Sequence, residues 1–253
     1  MGQFESKVAL VTGAGSGIGR ATALAFAREG ARVVVSDAVP ESGEQTVRII
    51  TTDGGDAKFL QANVTVSEDV QGLVTGALKA YGRLDYAHNN AGISGSTAGV
   101  VAADIPEEAF DRVIDVNLRG VWLCLKYEVP AILSSGGGAI VNTASIMGVV
   151  ATEANPAYAA SKHGVIGLTK SFALAYAGDG LRVNAVCPGY IDTPTFDRLR
   201  ADPGRAQSII ARHPVGRLGT AEEVAQAVVW LCSDASSFVT GHALIADGGY
   251  TAQ

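Results

Sequence analysis

The sequence is short of several things, and each shortage closes a class of protein. It has three cysteines, Cys124, Cys187 and Cys232, far apart and each in apolar surroundings. An odd, scattered set builds neither a disulfide framework nor a zinc site, and it fits reduced thiols. The four histidines, His88, His163, His213 and His242, have no metal-ligand spacing, so no metal is expected. Charged residues make up only 17%, with a net charge of -6 and no block of one sign. That leaves no basic surface for nucleic acid and no polybasic membrane anchor. No stretch approaches the ~20 apolar residues of a membrane span. The apolar run Val8 to Val11 is too short for a signal-peptide core, and Gly13 soon follows it. A soluble cytoplasmic protein is the expectation. Proline is scarce, at 8 in 253 residues, and no G-X-Y period occurs, which excludes collagen. Low charge beside 47% hydrophobic residues excludes disorder.

Glycine is what the chain has in excess. There are 31, roughly an eighth of the residues where about 7% is usual. Glycines in a foldable chain mark turns and places where backbone approaches a ligand. Between them, short β-branched runs alternate with helical patterns. Strands are expected at Lys7 to Thr12, Arg32 to Ser36, Ala57 to Ala62, Leu84 to His88, Ala139 to Thr143, Arg182 to Val186 and Ala243 to Ala246. Helices are expected at Ile18 to Glu29, Glu41 to Thr52, Ser67 to Ala80 with Ser67 as N-cap, and Pro106 to Leu133 interrupted near Asn117. Two more follow, at Pro156 to Ala177 and Ala221 to Ser233. Alternation with near-continuous apolar strands predicts an α/β fold: a doubly wound parallel sheet, helices on both faces, one domain over 1–253. The segment 190–214 breaks the pattern, with three prolines, alternating arginines and acids, and no clear strand. It reads as a substrate lid or as a plain surface insertion. Its place after a strand end favours the lid.

Thr12-Gly13-Ala14-Gly15-Ser16-Gly17-Ile18-Gly19 joins the first strand to the first helix. Without Cβ atoms the backbone there turns tightly, and free N–H groups at a helix start meet a pyrophosphate. The spacing is G-x-x-x-G-x-G, and its position between strand and helix gives it weight. Asp37 lies just past the second strand, 18 residues after Gly19. A carboxylate there accepts from an adenosine ribose hydroxyl and repels a 2′-phosphate. Neither Ser16 nor Ala38 supplies a positive charge, so NAD is expected over NADP.

Tyr158 and Lys162 are four apart on a helix and share a face. An ammonium near a phenol lowers the phenol's pKa from about 10, which makes a general acid/base for an alcohol or carbonyl oxygen. Ser145 lies just past a strand end, thirteen residues upstream, and Asn117 interrupts a long helix where an amide could bind a water.

The glycine loop, Asn89-Asn90-Ala91-Gly92, Asn117, Ser145, Tyr158-Ala159-Ala160-Ser161-Lys162 and Pro188-Gly189 occur in the order and spacing of one family. The chain resembles the short-chain dehydrogenase/reductases over essentially its whole length, and among them the shorter NAD-dependent members. The resemblance implies Tyr158 as catalytic acid/base and Lys162 as the group that lowers its pKa and holds the nicotinamide ribose. It implies Ser145 on the substrate oxygen and Asn117 on a water that passes the proton to solvent. Gly13, Ser16, Gly17, Ile18, Gly19 and Asp37 would bind the cofactor. So would Asn90, Ala91 and Gly92 along the cleft. Pro188, Gly189, Ile191 and Thr193 would contact the nicotinamide. Asn63 and Val64 would face the adenine, with Asn63 standing where the family usually carries Asp. The chemistry implied is interconversion of a secondary alcohol and a ketone by hydride transfer. The Thr240 to Tyr250 segment resembles the tetramer-forming end of the family.

Substrate-pocket candidates are Ile93, Ser94, Gly95, Ile146, Met147, Glu153, Ala154, Asn155 and Tyr190. They are mostly apolar or neutral, and no arginine cluster stands among them. An uncharged alcohol or ketone of moderate size is expected, cyclic ones included. His213 in the lid segment could touch it or lie solvated, and Asp192 and Asp197 have no metal-binding partner. Cys187 reads as a buried, unreactive thiol. Apolar residues on several faces of two helices (Val121, Trp122, Leu125, Phe172, Leu174 and Tyr176) point to oligomer interfaces, and a homotetramer is what the family resemblance of the Thr240 to Tyr250 segment implies. Two further readings remain: a 3-oxoacyl thioester reductase, which Asp37 disfavours, and a non-catalytic dinucleotide sensor, which would lack the tyrosine or lysine.

Overall fold

Seven short strands meet in one sheet: β1 (Val8–Thr12), β2 (Arg32–Asp37), β3 (Ala57–Gln61), β4 (Tyr86–Asn89), β5 (Gly138–Thr143), β6 (Leu181–Pro188) and β7 (Ala243–Ala246). The computed structural model describes residues 2–95, 100–152, 155–196 and 202–253. Glu153, Ala154 and Asp197 lie outside the described residues. The strand order is 3-2-1-4-5-6-7, and every pairing is parallel. Helices α1 (Gly17–Arg28), α2 (Pro40–Thr52), α3 (Ser67–Tyr81), α4 (Glu107–Ile114), α5 (Gly120–Ser134), α6 (Pro156–Tyr176), α7 (Pro203–Ala211) and α8 (Ala221–Cys232) complete it.

The three valines of β2 show how the layers arise. Successive strand side chains point to opposite faces. Val33 and Val35 pack with residues of α1 and α8, while Val34 packs with residues of α3, α5 and α6. All three are fully buried, as a strand covered on both sides must be. Glycines end α1 and α3 as expected: Gly30 has φ 88° and Gly82 has φ 77°, the left-handed conformation that stops a helix. The chain winds outward from β1 through β3, then restarts at β4 on the other side of β1. The loops after β1 and β4 therefore diverge and open a crevice at the strand C-termini.

Several details differ from the sequence reading. Ser67 does not cap α3; Val66 occupies that position, and the Ser67 hydroxyl pairs with the Tyr127 hydroxyl at 2.8 Å. The interruption at Asn117 is a π turn over Asp115–Arg119, closed by Gly120 N–H donating to Asp115 C=O, so the helical path continues through it. Val121 and Leu125 belong to this chain's own core and are not free for an interface, whereas Trp122 and Leu174 are exposed. Segment 190–214 contains α7, whose N-cap Asp202 accepts from Arg205 N–H at 3.1 Å. Thr220 and Glu223 form a capping box that starts α8. No helix among the described residues is long and apolar enough to cross a membrane.

Candidate active site

The crevice is a cleft of about 720 Å³ that runs from Asp37 at one end to Tyr158 at the other. Its floor begins with the glycine loop. Gly13 and Gly17 have φ of 61° and 51°, which side chains rarely tolerate. A Cβ on Gly19 would come 2.2 Å from the Gly13 carbonyl oxygen, and one on Gly17 would come 3.3 Å from Thr193 Cγ2. Glycine alone therefore leaves this loop closed against α1 and open toward the cleft. Ser16, Gly17 and Ile18 line the cleft there.

Asp37 sits at the C-terminal end of β2 with both carboxylate oxygens held. Oδ2 accepts from Gly15 N–H at 2.8 Å, and Oδ1 accepts from Val39 N–H at 2.9 Å. Arg20 supplies cationic support beneath the loop, donating to the Gly15 carbonyl and to Gln45. Asn63 and Val64 line the cleft near this end. The Asn63 amide oxygen accepts from the N–H and the hydroxyl of Thr65, which fixes its turn.

Asn90 ties β4 to the glycine loop. Its Nδ2 donates to the Thr12 and Gly13 carbonyls at 3.2 and 3.3 Å, and the Thr12 hydroxyl accepts from the N–H groups of Asn90 and Ala91. Asn117 is fully buried in the π turn. Its amide oxygen accepts from Ile93 N–H at 2.8 Å, and its Nδ2 donates to Ile93 C=O and to Ser161 Oγ. The side chain thus clamps the 91–95 loop. A water held by Asn117 would have to use the remaining lone pair of Oδ1 or the main chain of the π turn.

Tyr158, Ser145 and Lys162 converge at the far end. Asn155 caps α6 by accepting from Tyr158 N–H, and it also donates to Ser94 C=O, so it sets both walls of this end. Ser145 leads into a short turn, its hydroxyl accepting from Met147 N–H at 3.1 Å. Burial pushes the Tyr158 phenol above its ordinary value, and a hydrogen bond with Ser145 opposes that rise. The expected lowering by Lys162 is not what the geometry gives. The Lys162 ammonium lies over the Tyr158 ring, 5.5 Å from its centroid, and donates to Thr143 C=O at 2.8 Å. Burial brings Lys162 itself down to about 8. Cys187 is fully buried, and its thiol is pushed up to about 11, consistent with an inert group.

Pro188, Gly189, Ile191 and Thr193 line the cleft beyond β6. Of the substrate-pocket candidates, Ile93, Ser94, Gly95, Ile146, Met147, Asn155 and Tyr190 all line it. Sequence reasoning missed Thr152, Phe196 and Arg205, which line it too. Phe196 and Arg205 had a signal, their place in the anomalous segment 190–214; Thr152 had none. Tyr190 packs against Phe196, His213 and Tyr250, at 6.2, 5.9 and 5.8 Å between ring centroids. His213 is buried, not solvated. Its Nδ1 lies 2.8 Å from Ile209 C=O and its Nε2 accepts from Tyr190 N–H, so it braces this wall from behind. Among the described residues no cluster could hold a metal ion.

A glycine-lined crevice leading to a half-buried Tyr158 beside buried Ser145 and Lys162 defines an oxidoreductase of CH–OH groups on a dinucleotide-binding sheet. Residues 13–251 match the family model described as enoyl-(acyl carrier protein) reductase. The chain belongs to the short-chain dehydrogenase/reductase family. It is 49% identical to cyclohexanol dehydrogenase of Acinetobacter sp. (strain SE19), over 99% of this chain and 97% of that one. It is 43% identical to 2,5-dichloro-2,5-cyclohexadiene-1,4-diol dehydrogenase of Sphingobium indicum, over the full length of both. A crystal structure from Agrobacterium tumefaciens, described as a candidate 2-deoxy-d-gluconate 3-dehydrogenase with bound NADP, superposes with a TM-score of 0.90. It is 37% identical and covers 99% of this chain and 98% of its own.

Proposed function

We propose that this chain is an NAD-dependent dehydrogenase of cyclic secondary alcohols, running reversibly to the ketone. The observation that carries the reading is the placement of Tyr158, Ser145 and Lys162 at one end of a cleft whose other end is Asp37. The relatives that act on ring alcohols, cyclohexanol and a cyclohexadiene diol, support the substrate class. The lining around Ile93, Ile146, Met147, Tyr190 and Phe196 is largely apolar, which suits a ring.

NAD is favoured over NADP because the Asp37 carboxylate is anchored at both oxygens by backbone. It cannot swing aside cheaply, and a 2′-phosphate would meet its charge. The glycine-loop residues Gly13, Ser16, Gly17, Ile18 and Gly19 would hold the pyrophosphate at the start of α1. Asn63 and Val64 would face the adenine. Asn90, Ala91, Gly92, Pro188, Gly189, Ile191 and Thr193 would line the nicotinamide half. The nicotinamide, when bound, supplies the hydride acceptor. The protein does the rest. Tyr158 takes the alcohol proton in oxidation and returns it in reduction, Ser145 orients the substrate oxygen, and Lys162 places positive charge beneath the site. Asn117 holds the 91–95 wall in place through Ile93.

The chain is proposed to work as a homotetramer. Trp122 and Leu174 are exposed on the α5–α6 face of the sheet, while Trp230 on α8 and Ile245 on β7 are exposed elsewhere, with Phe238 fully so. Exposed apolar side chains on separate elements suit more than one isologous interface. One experiment tests the catalytic reading: cyclohexanol, smaller linear alcohols and a 3-oxoacyl thioester are offered with NAD(H) and NADP(H) in parallel. Ring alcohols with NAD should give the highest kcat/KM, and Asp37→Ala should narrow the preference for NAD. Preference for the thioester with NADPH would establish a 3-oxoacyl reductase instead. Cofactor binding with no turnover on any substrate would establish a sensor.

A further inference from the structure

His88 is fully buried on β4, behind the cleft-lining Thr143, and no role in the chemistry above uses it. Its Nε2 lies 2.8 Å from Thr143 Oγ1. Thr143 Oγ1 also lies 3.4 Å from Asn90 Oδ1, a long contact, and Thr143 C=O is the acceptor for Lys162. The directions of these bonds follow from the partners. The Nδ2 of Asn90 is engaged with Thr12 and Gly13, so Oδ1 is what faces Thr143, and an amide oxygen only accepts. The Thr143 hydroxyl proton therefore points to Asn90, and the hydroxyl oxygen must accept from His88. Burial pushes the His88 imidazole down to about 3, so the ring is neutral and its one proton sits on Nε2. Nδ1 is then a bare acceptor, and it is the ring atom with no partner. The opposite tautomer would leave a buried N–H unpaired, the rarer and costlier arrangement.

The result is one directed chain: His88 to Thr143 to Asn90 to the Thr12 and Gly13 carbonyls. Asn90 reaches those carbonyls only because the loop has glycine beside it; a Cβ on Gly19 would come 2.6 Å from Asn90 Nδ2. We propose that His88 is a positioning residue of the dinucleotide site, setting the glycine loop through Thr143 and Asn90. This rests on the reading of the cleft as the dinucleotide site.

The experiment is NADH binding to the full chain, followed by NADH fluorescence, with thermal melting alongside. Loss of one buried hydrogen bond in the chain should weaken NADH binding about 3- to 10-fold. His88→Leu should show that loss. His88→Gln, whose amide reaches the same distance, should recover to within about two-fold of wild type. Thr143→Val should match His88→Leu, and the double variant should bind no worse than Thr143→Val alone. Wild-type affinity in His88→Leu, no recovery in His88→Gln, or multiplied losses in the double variant would each overturn the proposal. Should His88→Leu fail to fold, Thr143→Val keeps the side-chain shape and carries the same expectation; unchanged binding there overturns it. A wild-type chain that binds neither NADH nor NADPH overturns the cleft reading itself, and this proposal with it.

Discussion

The floor and the roof of the cleft are built by different means. The floor is backbone and anchored polar groups: the glycine loop, Asp37, Asn90 and Ser145 at strand ends, and Lys162 on α6. Nearly every one is held by a hydrogen bond to main chain, at Gly15 and Val39 for Asp37, at Thr12 and Gly13 for Asn90, and at Thr143 for Lys162. The roof is aromatic packing between segments far apart in the chain, with Tyr190 against Phe196, His213 and Tyr250. Hydrogen bonds to strand backbone fix atoms in direction as well as distance, which proton transfer requires. Aromatic contacts fill space and tolerate changes of shape. The floor is therefore suited to chemistry and the roof to choosing what is admitted.

The largest expected effect falls on the floor. Tyr158→Phe keeps the ring over Lys162 and removes only the hydroxyl. Turnover should fall by about 10²- to 10⁴-fold, the usual worth of a positioned acid/base, while NADH affinity stays within about two-fold. The pH profile sharpens the same point. Burial holds Tyr158 above its ordinary value, so the phenol form dominates at neutral pH. Alcohol oxidation, which needs the deprotonated form, should rise as pH rises, and ketone reduction should fall. Initial rates in both directions across pH 6 to 10 (roughly the range of the two groups) decide it. Lys162 loses its proton near pH 8. An oxidation rate that drops through that pH would show that the ammonium governs the tyrosine after all.

A smaller effect is expected from the roof. Tyr190→Ala removes the ring that meets three others but leaves the Tyr190 N–H to His213 contact, which is main chain. KM for a ring alcohol should rise about ten-fold, as loss of a large apolar contact implies. The kcat should stay within about three-fold and NADH binding should not change. An equal fall in kcat with KM unaltered would move Tyr190 from the roof to the floor.

The same division explains what was legible in the sequence. The floor was readable because its residues obey local rules. The glycine spacing is set by one turn, Tyr158 and Lys162 by one helix face, and Asp37 by the end of one strand. The parallel sheet was readable from alternating apolar runs for the same reason. The roof was not. Tyr190 meets Tyr250 sixty residues on, and no spacing announces a contact between two loops. His213 looked like a solvated loop residue, yet the end of α7 buries it against Tyr190. Helix α7 itself, with Arg205 on its first turn, lies in a segment whose prolines and mixed charges hid the helical pattern. Ser67 had the right chemistry for a cap, but Tyr127, far along the chain, took its hydroxyl. The direction of the Tyr158 shift also escaped, since spacing shows that Lys162 is near but not that it faces the ring and Thr143.

The smallest expected effect lies under the floor, on the opposite face of β4 and β5 from His88. Asn89 and Asn142 are register partners on these strands. Asn89 Nδ2 donates to Asn142 Oδ1 and to Glu128 Oε2 on α5, and Asn142 donates to Thr169 on α6. Glu128 is fully enclosed, and burial pushes its carboxyl up to about 7. A carboxyl raised in the folded state supports folding while it is protonated in both states. That support is lost as pH climbs from the unfolded value near 4.5 through about 7. Glu128→Gln keeps the acceptor for Asn89 and removes the ionisation. At pH 8 the variant should melt higher than wild type by on the order of 2–8 °C, and near pH 4.5 the two should coincide. Activity should hardly move, because neither Glu128 nor its hydrogen-bond partner Asn89 lines the cleft. A variant that melts lower than wild type at pH 8 would show that the charged form is stabilised by partners beyond Asn89. The floor would then rest on an ion in place of the neutral acid that burial favours.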